Sequence, residues 1–253
     1  MREDQPSSHQ QLGRTFITQQ RVIALLSFFL PASLIGWSLL SGQGLRGSIS
    51  EYYYTPMRDV FVGTLCALAL FLWSYRGYHP TNPELRADRI VAKVASIAAA
   101  LVALAPLKPR QAEWECTVLQ CVLGTDTAYW VHNVAAAVFL VALATFCLVL
   151  FPMSAIPGQD LGRRLVAYGV SGATIVISVL LMVLWTFLPV EIYFMLGRYK
   201  PILVLETVAL TAFAASWFLR SRAVEYTALA RYQPVTDVAA PAVPSEPTPA
   251  GRS

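Results

Sequence analysis

The chain has 253 residues, of which 56% are hydrophobic and only 13% are charged, and its mean hydropathy is +0.52. This composition leaves too little polar surface for a soluble globular protein of this length, so it predicts a polytopic membrane protein. The net charge of +4 comes mainly from basic residues that flank the apolar runs, and it gives no indication of a nucleic-acid site.

Six apolar runs follow one another along the chain, at about 22 to 41, 58 to 75, 89 to 106, 127 to 151, 163 to 188 and 200 to 219. Each approaches or reaches the roughly 20 residues that cross about 30 Å of hydrocarbon. Because the backbone of a spanning segment has no water to bind, each run is expected to be helical. The sequence therefore predicts an all-α polytopic membrane protein built as a six-transmembrane-helix bundle.

The segments on either side of these runs complete the predicted domain organisation. Residues 1–21 form a cytoplasmic N-terminal segment, residues 22–219 form the six-helix transmembrane domain, and residues 220–253 form a cytoplasmic tail. Beyond about Tyr232 the tail is rich in Pro, Ala, Val, Thr and Ser without periodicity, which is typical of a largely disordered extension.

The distribution of lysine and arginine predicts the orientation. With the N-terminus inside, the inner side holds 13 basic residues, namely Arg2, Arg14, Arg21, Arg76, Arg86, Arg89, Lys93, Arg163, Arg164, Arg220, Arg222, Arg231 and Arg252. The outer side then holds six, namely Arg46, Arg58, Lys108, Arg110, Arg198 and Lys200. Since cytoplasmic connections carry the excess of basic residues, both termini are predicted to be cytoplasmic.

The start of the second span carries helix-capping residues. Thr55 is predicted to cap this helix, with Pro56 at the first helical position. Asp59 then lies in the first turn, where a carboxylate interacts favourably with the helix dipole. Capping accounts for these three residues without any ligand.

Capping does not account for the polar residues around them. Three consecutive tyrosines, Tyr52, Tyr53 and Tyr54, lie between Glu51 and Arg58. We expect this group to form a hydrogen-bonding lid over the outer mouth of the bundle.

The run from Ser48 to Gly63 reads S-x-S-x-YYYT-x-MRDxFVG. It resembles a motif of an uncharacterised bacterial six-transmembrane-helix family that is known only as a domain of unknown function. The resemblance covers the second span with its approach and extends to His132 in the fourth span. It implies a shared outward-facing feature and a place in the bacterial inner (plasma) membrane, but no activity.

Glu206 is a lone carboxylate inside the apolar run 201–210. An ionisable residue within a membrane is costly, so it is a candidate functional site and is expected to have a polar partner inside the protein. His132, Asp59 and Arg58 fall at about the same depth of their spans. The predicted ligand-binding residues are therefore Glu51, Tyr52, Tyr53, Tyr54, Arg58, Asp59, His132 and Glu206, converging between spans two, four and six.

Three functions are compatible with this set of residues. The first is binding of a lipid head group or a small polar ligand in an outward-facing pocket. The second is metal-dependent lipid hydrolysis with His132, Asp59 and Glu206 as ligands, although a single histidine is a poor zinc site. The third is a structural or assembly role, with ion pairs joining Arg58 to Glu206 and His132 to Asp59. We predict no metal, cofactor or nucleic-acid partner, and membrane lipids as the surroundings.

Two further patterns concern cysteines and small residues. Cys116 and Cys121 lie in the predicted outer connection and are candidates for a disulfide, with two free thiols as the alternative. Small residues spaced for close helix contacts are expected to face the bundle. They are Ala92, Ser96, Ala99 and Ala103 on the third span, Gly63 and Ala67 on the second, and Gly169 and Ala173 on the fifth.

Overall fold

The computed structural model describes residues 8–75, 86–109, 115–155 and 160–230, with the side chains of residues 8–14, 86 and 224–230 left out. Within these ranges the chain is helical and contains no strand, so the predicted all-α class is confirmed. The predicted tail from residue 231 onward lies outside the described residues.

Nine α-helices follow one another in the described part of the chain. They are α1 (Ser8–Ser41), α2 (Arg58–Ser74), α3 (Arg86–Leu104), α4 (Val118–Leu123), α5 (Thr125–Thr145), α6 (Phe151–Met153), α7 (Leu161–Trp185), α8 (Val190–Gly197) and α9 (Pro201–Ala230). A 3-10 helix, Ser50–Tyr54, precedes α2, and a π-helix, Phe146–Leu150, joins α5 to α6.

Four helical stretches of the described chain are long and apolar enough to cross a membrane. They are Thr15–Ser41, Thr125–Met153, Leu161–Trp185 and Pro201–Ala223. The other two predicted spans coincide with α2, which has 17 residues, and α3, which has 19 residues and begins with charged side chains. These four stretches suggest that the protein resides in a membrane.

The helices pack as a bundle in which α1 lies along α2 and α9, α3 lies between α2 and α5, and α7 lies along α9 and α5. The stripe of small residues on α3 faces this bundle, because Ala92, Ala99 and Ala103 are fully buried. Ser96, on the same stripe, donates its hydroxyl to the carbonyl of Ala69 at 2.7 Å. The predicted contact face of α3 is therefore confirmed.

The small-residue prediction for α2 and α7 is wrong. Gly63 and Ala173 are exposed, and a Cβ atom built on Gly63 or Gly169 would meet nothing within 4 Å. The close contact is at Gly172, where a Cβ atom would lie 2.4 Å from Cγ of Leu148 and 3.2 Å from Cβ of Cys147. The reason is that the π-helix, which sequence spacing did not reveal, brings Leu148 toward α7.

Two ends of the bundle are distinguished by the charged residues of α9. Glu206 lies near the start of this helix, and Arg220 lies roughly 21 Å farther along it at 1.5 Å per residue. We call these the Glu206 end and the Arg220 end.

Candidate functional site

The connection between α1 and α2 folds back into the Glu206 end of the bundle. Gly42 and Gly44 adopt left-handed conformations, with φ of +68° and +73°, and turn the chain after α1. We call residues 47–57 the plug segment. It buries the side chains of Ser48, Ile49, Ser50, Tyr52, Tyr53 and Thr55. A buried connection must find partners for its backbone polar groups, so its contacts define the site.

The plug segment is joined to the start of α9 by two hydrogen bonds. The Leu203 N–H, one of the donors that a helix start leaves without an intrahelical partner, donates to the carbonyl of Gly47 at 3.0 Å. One turn later, Oε2 of Glu206 accepts the N–H of Ile49 at 2.6 Å. The lone carboxylate of the apolar run therefore has a partner inside the protein.

His132 joins the plug segment to α3 and α5. Its ring is 2% exposed, with Nδ1 2.6 Å from the carbonyl oxygen of Ala105 and Nε2 2.8 Å from the hydroxyl of Ser50. Because a carbonyl oxygen only accepts, Nδ1 carries the hydrogen, and Nε2 of the neutral ring accepts from Ser50. His132 and Glu206 therefore bond to two adjacent residues of the plug segment, Ser50 and Ile49.

Each of the three tyrosines directs its hydroxyl to a different part of the chain. Tyr52 is fully buried and pairs with Ser38 of α1 at 2.6 Å. Tyr53 accepts a hydrogen bond from Nη2 of Arg58 at 2.8 Å. Tyr54 donates to the carbonyl of Leu107 beyond the end of α3. The tyrosines are therefore packed into the protein and do not form a free lid.

Gln120 supports Tyr54 from the short helix α4. Its Nε2 donates to the Tyr54 hydroxyl at 3.0 Å and to the Leu107 carbonyl at 3.2 Å. Burial raises the pKa of Tyr54 and outweighs the opposing effect of the Gln120 hydrogen bond. Thr117 caps α4 in a capping box with Gln120.

Cys116 and Cys121 form a disulfide with a Cα–Cα distance of 5.4 Å. Because Cys121 belongs to α4, the bridge ties the start of this helix to the preceding chain. Of the alternatives left open by the sequence, the structure contains the bridge. It lies next to Gln120 and so helps to position that residue.

The charged residues at the start of α2 do not join Glu206 and His132. Arg58 is exposed, and its guanidinium lies over the Tyr53 ring at 4.5 Å from the ring centroid. Asp59 is exposed and forms no hydrogen bond or ion pair with the described residues. The ion pairs predicted between Arg58 and Glu206 and between His132 and Asp59 are therefore wrong. Arg58, Glu206 and His132 bond instead to Tyr53, Ile49 and Ser50 of the plug segment.

Glu51 is the predicted charged residue that does lie near Glu206. Its Oε2 accepts the N–H of Gly47 at 2.9 Å, and its negative charge acts on the Glu206 carboxylate. The Glu206 end therefore holds two neighbouring acidic side chains on a buried scaffold.

The predicted helix cap at Thr55 is also wrong. Helix α2 begins at Arg58, and its N-cap, Met57, makes no side-chain cap. The Thr55 hydroxyl instead donates to the carbonyl of Tyr52 at 2.7 Å and accepts the Met57 N–H at 3.1 Å. The 3-10 helix brings the Tyr52 carbonyl within reach of the Thr55 hydroxyl. Thr55 therefore stabilises the end of the plug segment and does not cap α2.

A second polar cluster lies at the Arg220 end, where the sequence predicted cytoplasmic flanks. Arg220 is 3% exposed, donates Nη2 to the Ser154 hydroxyl at 2.7 Å, and lies 4.8 Å from the centroid of the Phe151 ring. Asp88, in the first turn of α3, is 1% exposed. An arginine that follows an apolar run has the same sequence pattern whether its side chain is buried or reaches water. The sequence therefore did not show that Arg220 is buried.

The described residues include no group of three or more His, Cys, Asp or Glu side chains that could hold a metal ion. Comparison of the chain with family models, with curated proteins and with solved structures gave no match.

Proposed function

We propose that the chain is a six-span membrane protein of the inner membrane in which α2 and α3 cross the bilayer beside the four longer apolar stretches. The observation that supports this topology is the outer face of α3. Its exposed large apolar residues recur every three or four positions, at Ile90, Val94, Ile97, Leu101 and Leu104. They cover roughly 21 Å of helix, while small residues fill the opposite, buried face.

Cysteine labelling separates six spans from four. With six spans, a cysteine placed at Asn82 lies inside, whereas Cys116 and Cys121 lie outside. An impermeant maleimide is expected to label the reduced native pair in intact cells, and to label Asn82→Cys only after permeabilisation. The unsubstituted protein sets the background from Cys66 and Cys147. Labelling of Asn82→Cys in intact cells would contradict six spans and support four.

The function that the site supports best is structural. The plug segment closes the Glu206 end and holds four helical elements in fixed positions relative to one another. The supporting observation is one set of hydrogen bonds from nearby plug residues to separate helices. Tyr52 bonds to Ser38 of α1, Ile49 to Glu206 of α9, and Ser50 to His132 of α5. His132 in turn bonds to Ala105, directly after α3. Such a network rigidifies a bundle when all its members are satisfied.

This arrangement disfavours metal-dependent hydrolysis. A histidine ligand needs a free ring nitrogen, but Nδ1 of His132 serves Ala105 and Nε2 serves Ser50. Asp59, the second ligand considered, is exposed at the start of α2.

Hydrogen exchange on the full-length protein in detergent tests the structural role. The amides of Ile49 and Leu203 are expected to exchange slowly, because both are bonded inside the bundle. His132→Ala is expected to accelerate exchange of the plug segment about tenfold or more, which corresponds to about 1.4 kcal/mol. Exchange of the unsubstituted plug segment at the rate of an unfolded peptide would contradict the proposal.

A second candidate function is binding of a head group that carries an ammonium. The Glu206 side chain is only half-buried, and its second oxygen, Oε1, has no hydrogen bond to the described residues. Glu51 is a second acidic side chain near Glu206, and a pair of carboxyl groups suits a cation rather than a phosphate.

Lipid retention distinguishes the two candidates. If the ammonium is bound, Glu206→Gln lowers retention of phosphatidylethanolamine by the purified protein while thermal stability changes little. Asp59→Asn is the control, because it removes a carboxylate of the same end that is exposed and bonded to no described residue. Unchanged lipid retention with reduced thermal stability would contradict ammonium binding and support the structural role.

A further inference from the structure

A groove lies between α7 and α9, away from the plug segment, on the side of the Arg220 end. Its volume is about 300 Å³, and its walls include Ala167 and Ser171 of α7 and Ala215, Ser216, Phe218 and Arg222 of α9. The volume is at the lower end of the range for ligand sites. Small side chains on both helices create the gap, so it is built into the packing of this helix pair.

Ser216 is a polar group buried in the groove wall. It is 2% exposed, and its hydroxyl neighbours the Cys147 thiol. Its oxygen is enclosed by the protein, so Ser216 contributes to the groove through its small size.

One arginine lines the groove, and a second lies one helical turn before a groove residue of α7. Arg222 is exposed at the end of the apolar stretch, with its guanidinium 5.7 Å from the centroid of the Phe218 ring. Arg163 is exposed in the first turn of α7 and, four residues before Ala167, shares its helix face. Neither guanidinium has an ion pair with a described residue, and the nearby Asp160 has none either.

We propose that this groove binds one anionic phospholipid, with an acyl chain between α7 and α9 and the phosphate at Arg163 and Arg222. The apolar walls favour a hydrocarbon chain, because an empty groove forfeits dispersion contacts. The two cations favour a phosphate, and basic pockets between transmembrane helices are recognised sites for anionic head groups.

The test is lipid retention by the full-length protein in neutral detergent, measured by native mass spectrometry with phosphatidylglycerol and phosphatidylcholine as probes. Retention of phosphatidylglycerol is expected to exceed that of phosphatidylcholine by about fivefold or more. The double variant Arg163→Gln with Arg222→Gln is expected to abolish this preference. Arg198→Gln removes an exposed arginine at the opposite end of α7 and α9 and is expected to preserve it.

A second variant tests the groove itself. Ala215 is exposed, so Ala215→Leu fills the groove without disturbing the core, and it is expected to lower retention of both lipids at unchanged thermal stability. Equal retention of the two lipids by the unsubstituted protein would overturn the proposal. So would binding of inorganic phosphate alone that depends on both arginines while Ala215→Leu has no effect. Concentration-dependent cross-linking of two chains that Ala215→Leu abolishes in lipid-free detergent would assign the groove to a second copy instead.

Discussion

The carboxylate of Glu206 accepts the backbone N–H of Ile49 at 2.6 Å, across a separation of 157 residues. This bond joins an ionisable side chain within an apolar helix to a buried turn of the plug segment. It shows how the protein accommodates an ionisable group that insertion into a membrane disfavours.

Substitutions of Glu206 are expected to separate the loss of charge from the loss of the hydrogen bond. Glu206→Gln keeps an acceptor for Ile49 and is expected to cost about 1 kcal/mol or less in the free energy of unfolding. Glu206→Leu leaves that N–H without a partner and is expected to cost about 1 to 3 kcal/mol. Unfolding in detergent measures both, and equal effects of the two would show that the hydrogen bond contributes nothing.

Ser50 and His132 are expected to be energetically coupled. In a double-mutant cycle with Ser50→Ala and His132→Ala, the two changes should be non-additive by about 0.5 kcal/mol or more, because either one removes the same hydrogen bond. Asp59→Ala paired with His132→Ala is the control and should be additive, since Asp59 is exposed. Additive effects in both cycles would refute the contact.

The close approach of α7 to the π-helix is tested by two glycines three residues apart. Gly172→Ala is expected to destabilise the protein by about 1 to 3 kcal/mol, because the new methyl would meet Leu148 and Cys147. Gly169→Ala meets nothing within 4 Å and is expected to be neutral or to stabilise by up to about 1 kcal/mol. The reverse order of thermal stabilities would contradict the observed crossing.

Arg220 and Arg222 are two residues apart but are expected to respond differently to lysine. The Arg220 guanidinium contacts both the Ser154 hydroxyl and the Phe151 ring, and a lysine ammonium lacks the planar shape for both contacts. Arg220→Lys is therefore expected to lower the free energy of unfolding by about 1 kcal/mol or more. Arg222→Lys keeps an exposed charge and is expected to change stability by less than about 0.5 kcal/mol. Thermal unfolding in the same detergent compares them, and equal shifts would argue against a buried role for Arg220.

The sequence was sufficient for features that depend on local pattern. The apolar runs predicted the helices, because a spanning segment can satisfy its backbone only within itself. The small residues of α3 predicted its buried face, since they recur at helical spacing over the whole length. The spacing of Cys116 and Cys121 allowed the disulfide, although it did not decide between a bridge and free thiols.

The sequence indicated that Glu206 needs a partner, but it did not identify that partner. Glu206 and His132 were singled out because polar groups are costly in an apolar run, and the structure brings both to the plug segment. Their partners were not predicted, since Ser50 and the Ile49 N–H are ordinary groups that become partners only when a connection folds inward. Arg58 and Asp59 were predicted at the same depth as Glu206 and His132, but their side chains do not join those two residues. Depth along a span does not determine the direction in which a side chain points.

Taken by itself, the sequence determined that this chain is helical and apolar enough for a membrane, roughly where its six long helices lie, and that Glu206 needs a polar partner. Only the tertiary structure decided that the connection before α2 is a buried plug segment, that Gly172 rather than Gly169 is a contact, and that Arg220 turns inward while Arg222 does not. The physical reason is that helix formation depends on hydrogen bonds between residues four apart, whereas partners, contacts and burial depend on how separate helices approach one another.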